Sequence, residues 1–96
     1  MSSYTAPQIT HNATDSGAGT TAGANGTFTL TAKGQCVGMG VYNVGATAFT
    51  IKINAETNVH TVPAGKTWYS GIMNLTQFII VESGAEYSYS AQIVAA

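Results

Sequence analysis

Residues 48–54 read Ala-Phe-Thr-Ile-Lys-Ile-Asn, with Phe49, Ile51 and Ile53 on one parity and Thr50, Lys52 and Asn54 on the other. Strict apolar/polar alternation is the period of a strand with one face buried, because successive side chains of extended backbone point to opposite sides. The same period continues on both flanks. Residues 27–31 put Phe28 and Leu30 against three threonines. Residues 36–44 (CVGMGVYNV) put Val37, Met39 and Val41 on one side, with Gly38, Gly40, Tyr42 and Val44 on the other. Two glycines on one strand face leave room for a backbone or a bulky ring to approach closely.

Beyond residue 54, short strands are expected at 59–62, 66–72, 75–82 and 86–94. Turn signals divide the strands of the whole series: Gly45-Ala46-Thr47 before residue 48, then Pro63-Ala64-Gly65 and Ser83-Gly84-Ala85. In 75–82, Phe78 and Ile80 oppose Ile79 and Val81, so both faces carry apolar side chains. In 86–94, Tyr87, Tyr89, Ala91 and Ile93 share one face, which points to core packing for the two tyrosines. Seven short strands at about ten-residue spacing, with no helical period, predict an all-β fold, an antiparallel β-sandwich of Ig-like or jelly-roll-like type.

The expected domain covers 27–96. Residues 1–26 hold only Met1, Tyr4 and Ile9 as large apolar side chains, and Ser16 to Gly26 is nearly all Gly, Ala, Thr and Ser. That composition reads as an extended N-terminal arm that a partner would order, with Tyr4 and Ile9 as its contacts.

Charge is scarce. The 96 residues include three Lys, no Arg, three Glu and one Asp, giving 7% charged residues and a net charge of −1, against roughly 25% charged in an ordinary soluble domain. With no basic cluster, nothing draws the chain to nucleic acid or to anionic lipid. No apolar run approaches the ~18 residues of a membrane helix. The N-terminus lacks the form of a signal peptide, so the chain is expected to be made in a cytoplasm.

Nothing assembles into chemistry. Cys36 is the sole cysteine, and His11 and His60 are the only histidines, so no metal centre, cofactor site or catalytic residue is expected. His11, Asp15 and Ser16 form a triad only on paper, since a flexible segment cannot hold catalytic geometry. Glu56, Glu82 and Glu86 read as solvated turn charges. Trp68 and Tyr69, adjacent and of opposite parity, place one ring outward.

A sandwich core of about 70 residues rarely supplies more than ~3–5 kcal/mol. An ordinary small domain stays soluble by a mixed charged surface. A core this small under a surface of Thr, Ser, Ala, Asn and Gly fits a subunit covered by neighbours. The candidate interface residues are Tyr4, Ile9, Trp68, Tyr69, Ile79 and Val81.

The stretches GVYNVGATAFTIKIN, TVPAGKTWYSG and QFIIVESGAEYSYSAQI, with their Asn-x-Gly-Ala-Thr and Val-Pro-Ala-Gly-Lys-Thr turns, resemble small β-sandwich virion proteins of tailed bacteriophages. The likeness spans residues 27–96 and is one of pattern, carrying no catalytic motif. It implies a head decoration (cement) protein on the capsid surface, made in the host cytoplasm. Its partners would be the major capsid protein and copies of itself, with trimers among the arrangements. A tail, neck or fibre-base component is the alternative within that class. A glycan-binding host-attachment module using rings at Trp68 and Tyr69 is the alternative outside it.

Overall fold

The computed structural model describes residues 13–30, 34–54, 57 and 59–94. These residues contain eight strands: β1 (Ala13–Thr20), β2 (Gly26–Thr29), β3 (Gln35–Asn43), β4 (Phe49–Ile53), β5 (His60–Val62), β6 (Thr67–Tyr69), β7 (Gln77–Ile80) and β8 (Glu86–Val94). They form two four-stranded antiparallel sheets, in the orders β1-β8-β3-β6 and β2-β7-β4-β5. The pairs β1·β8, β2·β7, β3·β6 and β4·β5 fall alternately in the first and second sheet. One long doubled ribbon has thus been wound around the core, which is the jelly-roll form of the β-sandwich.

The alternating stretches deliver the core as their period requires. Phe49, Ile51 and Ile53 of β4 meet Met39 and Val41 of β3, Phe78 and Ile80 of β7, and Ala91 and Ile93 of β8, all buried. Each large apolar side chain so buried contributes about 1.5–3 kcal/mol. In β3 the alternation slips. Cys36 and Gly38 pair with the adjacent residues Ile93 and Gln92, so Val37 is the extra residue of a bulge. Cys36 therefore joins Met39 and Val41 inside, while Val37, expected with that set, is only half-buried.

The N-terminal arm expected over 1–26 needs correction. Residues 13–20 form a full edge strand in register with β8, from Ala13 opposite Ile93 to Thr20 opposite Glu86, and Gly26 already opens β2. Residues 1–12, with Tyr4 and Ile9, lie outside the described residues. Strand β1 has no large side chain because its neighbour fills the space. A Cβ on Gly17 would sit 2.9 Å from the ring of Tyr89, and one on Gly19 would sit 3.4 Å from the Tyr87 hydroxyl. Backbone pairing holds β1 in place, and the tyrosines of β8 supply its volume.

Aromatic contacts lie toward both lateral sides of the sandwich. Beside β2, Phe28 stacks on Phe78 at 4.6 Å and meets Tyr87 edge-on at 4.9 Å, and Tyr89 meets Phe78 at 5.1 Å. Tyr87 and Tyr89 thus pack against the core, as their parity indicates. Beside β5 and β6, Trp68 lies 5.4 Å from His60 across the two sheets.

The quoted turn motifs build one corner of the fold. Asn43 is fully buried. Its Nδ2 donates to the carbonyls of Thr47 (2.8 Å) and Val62 (2.9 Å), and its Oδ1 accepts from the Gly45 N–H (3.0 Å). Its main chain pairs with Gly65 and Lys66. There the Lys66 N–H donates to the Pro63 carbonyl, and Gly65 takes φ +72, the left-handed conformation that a type II turn places at its third residue. Thr21 fixes the adjoining corner at the same end, where the β1–β2 and β7–β8 connections meet: its hydroxyl donates to the Glu82 carbonyl (2.7 Å) and accepts from the Ala85 N–H (2.9 Å).

Candidate functional site

The outer face of the first sheet carries a groove of about 450 Å³. Its floor is the glycine side of β3. Gly40 lies opposite Tyr69, and the Cδ1–Cε1 edge of that ring stands 3.3–3.4 Å from where a Gly40 Cβ would be. Gly38 is hemmed by the Gly71 carbonyl at 3.0 Å and Gln92 Oε1 at 3.3 Å, measured to the same construction. Both positions therefore need glycine for a ring or a chain to cross β3 at close range.

One wall of the groove is a ridge of apolar side chains. Tyr69 is 75% exposed, Ile72 76% and Tyr42 41%. Ile72 belongs to the segment that leaves β6. The Ser70 hydroxyl accepts from the Met39 N–H (2.9 Å) and donates to the Gly71 carbonyl (2.7 Å), Gly71 turns the chain at φ +71, and Leu75 forms a bridge to Cys36. The segment is thus tied along β3 before it crosses to the second sheet. The other wall comes from β8, where Ser88, Ser90 and Gln92 line the groove. Among the described residues, no Lys, Arg, His, Asp or Glu lines it.

The outer face of the second sheet is different. Ile79 of β7 lies between Thr27 of β2 and Lys52 of β4, with Thr50 and Thr61 paired alongside. Ile79 and Val81 are half-buried there. Lys52 is the one charge on these strand positions, and the Glu82 carboxylate reaches Thr50 from the turn after β7.

Among the expected interface residues, then, the structure separates neighbours. Tyr69 faces out over Gly40, whereas Trp68 faces in, opposite Val41, and packs against the core; its role as a surface ring is corrected accordingly. Ile79 and Val81 lie on the second sheet, away from Tyr69. Tyr42 and Ile72 complete the groove. Tyr42 is on the glycine parity of β3 and was legible; Ile72 stands outside any strand, where the period of two gives no direction.

Asp15, Cys36 and Glu82 stand outside the groove. Asp15 is 8% exposed on the inner side of β1. Burial, the Asp15 charge, the neighbouring Tyr87 and a hydrogen bond to Asp15 raise the Tyr89 hydroxyl above its ordinary pKa. Burial likewise raises the Cys36 thiol, partly offset by its hydrogen bond to the Gly38 carbonyl and reinforced by Asp15. Desolvation pushes the Glu82 carboxyl upward, but hydrogen bonds from the Thr50 N–H (2.8 Å), the Thr50 hydroxyl (2.7 Å) and its own backbone outweigh it, and Glu82 lies below its ordinary value. Glu82 is therefore a strap between β4 and the β7–β8 turn as well as a turn charge. Among the described residues, no three His, Cys, Asp or Glu side chains gather in a metal-binding cluster. No protein family, curated protein or solved structure matches the chain.

Proposed function

We propose that this protein is a structural subunit of a virus particle, a head decoration protein that covers major capsid protein subunits with the outer face of its second sheet. The observation that carries the reading is that face: Ile79 and Val81 set among Thr27, Thr50 and Thr61, with Lys52 and the Thr50-bound Glu82 carboxylate as its charges among the described residues. β-branched threonines have few rotamers to lose, so such a face can be covered at small entropic cost. It also presents little charge to desolvate. Many copies, each touching several shell subunits, would reinforce the shell by avidity. Self-association, in trimers as the resemblance implies, belongs to the same proposal. Jelly rolls serve capsids and lectins alike, so the fold by itself leaves the choice to the surface.

The test is Ile79→Lys in the producing phage or cell. The variant should fold, because Ile79 is only half-buried on an outer face, and it should be missing from purified particles that retain the wild-type chain at fixed stoichiometry. Wild-type occupancy by the variant, or particles that never contain the protein, refutes the proposal.

A further inference from the structure

We propose that the groove on the first sheet is a binding site for a neutral saccharide. This inference goes beyond the shell-covering reading and uses the opposite face of the sandwich. A sugar ring presents an apolar C–H surface on one side and hydroxyls around its rim, and the groove offers a counterpart to each. Tyr69 rests one edge over Gly40 and leaves three quarters of its surface to solvent, which makes it a platform for the C–H surface. Tyr42 stands on the diagonal from it, since Gly40 pairs with Tyr69 and Tyr42 with Thr67. Diagonal cross-strand side chains lie about 7–8 Å apart at the backbone, within reach of two aromatic rings. Opposite this ridge, Ser88, Ser90 and Gln92 provide hydroxyl and amide groups that both donate and accept.

Charge decides the ligand class. A phosphate, a sulfated chain or a sialylated glycan needs a cation to meet it, and among the described residues no Lys, Arg or His lines the groove and no carboxylate stands there for a cationic ligand. A volume of about 450 Å³ falls within the ~300–1,000 Å³ of small-molecule sites. A protein partner is the less suitable occupant, because its apolar centre would meet a single ridge bordered by hydroxyls instead of an apolar core ringed by polar residues.

The experiment screens the intact protein on a printed array carrying neutral oligosaccharides of glucose, galactose, mannose and N-acetylglucosamine beside sialylated and sulfated glycans. The best neutral glycan is then titrated by NMR. Binding is expected on neutral glycans, with chemical-shift changes confined to β3, β6, β8 and the Gly71–Ile72 segment that follows β6. Tyr69→Ala should weaken it by about tenfold or more without lowering the melting temperature, since the ring is exposed. Tyr69→Phe should keep the stacking and most of the affinity, and Ile79→Lys on the other sheet should leave it unchanged. Silence on every neutral glycan overturns the proposal, as does preference for acidic glycans or indifference to Tyr69→Ala. A concentration-dependent dimer that Tyr69→Ala abolishes, with no glycan bound, assigns the face to a second copy and overturns it too. None of these outcomes bears on the Ile79→Lys test, so the two readings can fail separately.

Discussion

Replacing Asn43 with Ala removes three hydrogen bonds at the corner where the β3–β4 turn meets β5. The Val62 carbonyl bond is buried, and the Thr47 carbonyl and Gly45 N–H bonds are partly buried. A buried group left without a partner costs about 1–3 kcal/mol, and an ordinary lost hydrogen bond about 0.5–1.5 kcal/mol. Water can reach the two outer groups but not the Val62 carbonyl, so roughly 3 kcal/mol is the expected loss, with a small cavity included. At an m-value near ~1 kcal/mol/M, urea unfolding should shift its midpoint down by roughly 2–3 M. Equilibrium urea titration followed by Trp68 fluorescence reads this, because Trp68 packs against the core. Asn43→Asp keeps the acceptor for Gly45 but sets a carboxylate against two carbonyls, and should be at least as damaging at neutral pH. A loss under about 0.5 kcal/mol for Asn43→Ala, the size of a neutral surface change, would refute the corner argument.

Gly17→Ala should destabilise the protein by about 1–3 kcal/mol, the usual penalty for overpacking, because its Cβ meets the Tyr89 ring at 2.9 Å. Ala18→Ser on the outer side of the same strand should be nearly neutral. Hydrogen exchange should show β1 amides opening first in Gly17→Ala, and equal stability of the two variants would contradict the packing of β1 on β8. Glu82 carries a pH signature. Its carboxyl is held below the ordinary value of 4.5 by Thr50, so its stabilisation is fully present above pH 4.5 and is lost as pH falls through the lower, folded-state value. Glu82→Gln should flatten that part of the stability profile, and a profile with unchanged slope would remove the strap.

Much of the fold was legible because alternation and turns agreed: Phe49, Ile51 and Ile53 point inward, and Pro63-Ala64-Gly65 reverses the chain. The misreadings have physical causes. Strand β1 lacks apolar periodicity because Gly17 and Gly19 make room for rings that belong to β8, and composition then imitates a linker. Val37 left the core because a bulge inserts one residue and resets parity, which no local pattern announces. Trp68 and Tyr69 could be told apart only by the register with β3, where Trp68 falls opposite buried Val41 and Tyr69 opposite Gly40. The groove was half visible, in the glycine side of β3 and Tyr42, but Ile72 depends on the course of the chain after Gly71. The resemblance rested on turns whose residues, Asn43 and Gly65 above all, build the fold and therefore say little about partners.

Lysine labelling tests the central claim most directly, since Lys52 sits beside Ile79 on the second sheet while Lys66 lies exposed in the β5–β6 turn. An amine-reactive probe applied to the isolated protein and to purified particles, with modification read by mass spectrometry, compares the two sites within one chain. The account expects Lys52 to be modified in the free protein and shielded in particles, with Lys66 reacting alike in both. Equal modification of Lys52 in the two samples would contradict it.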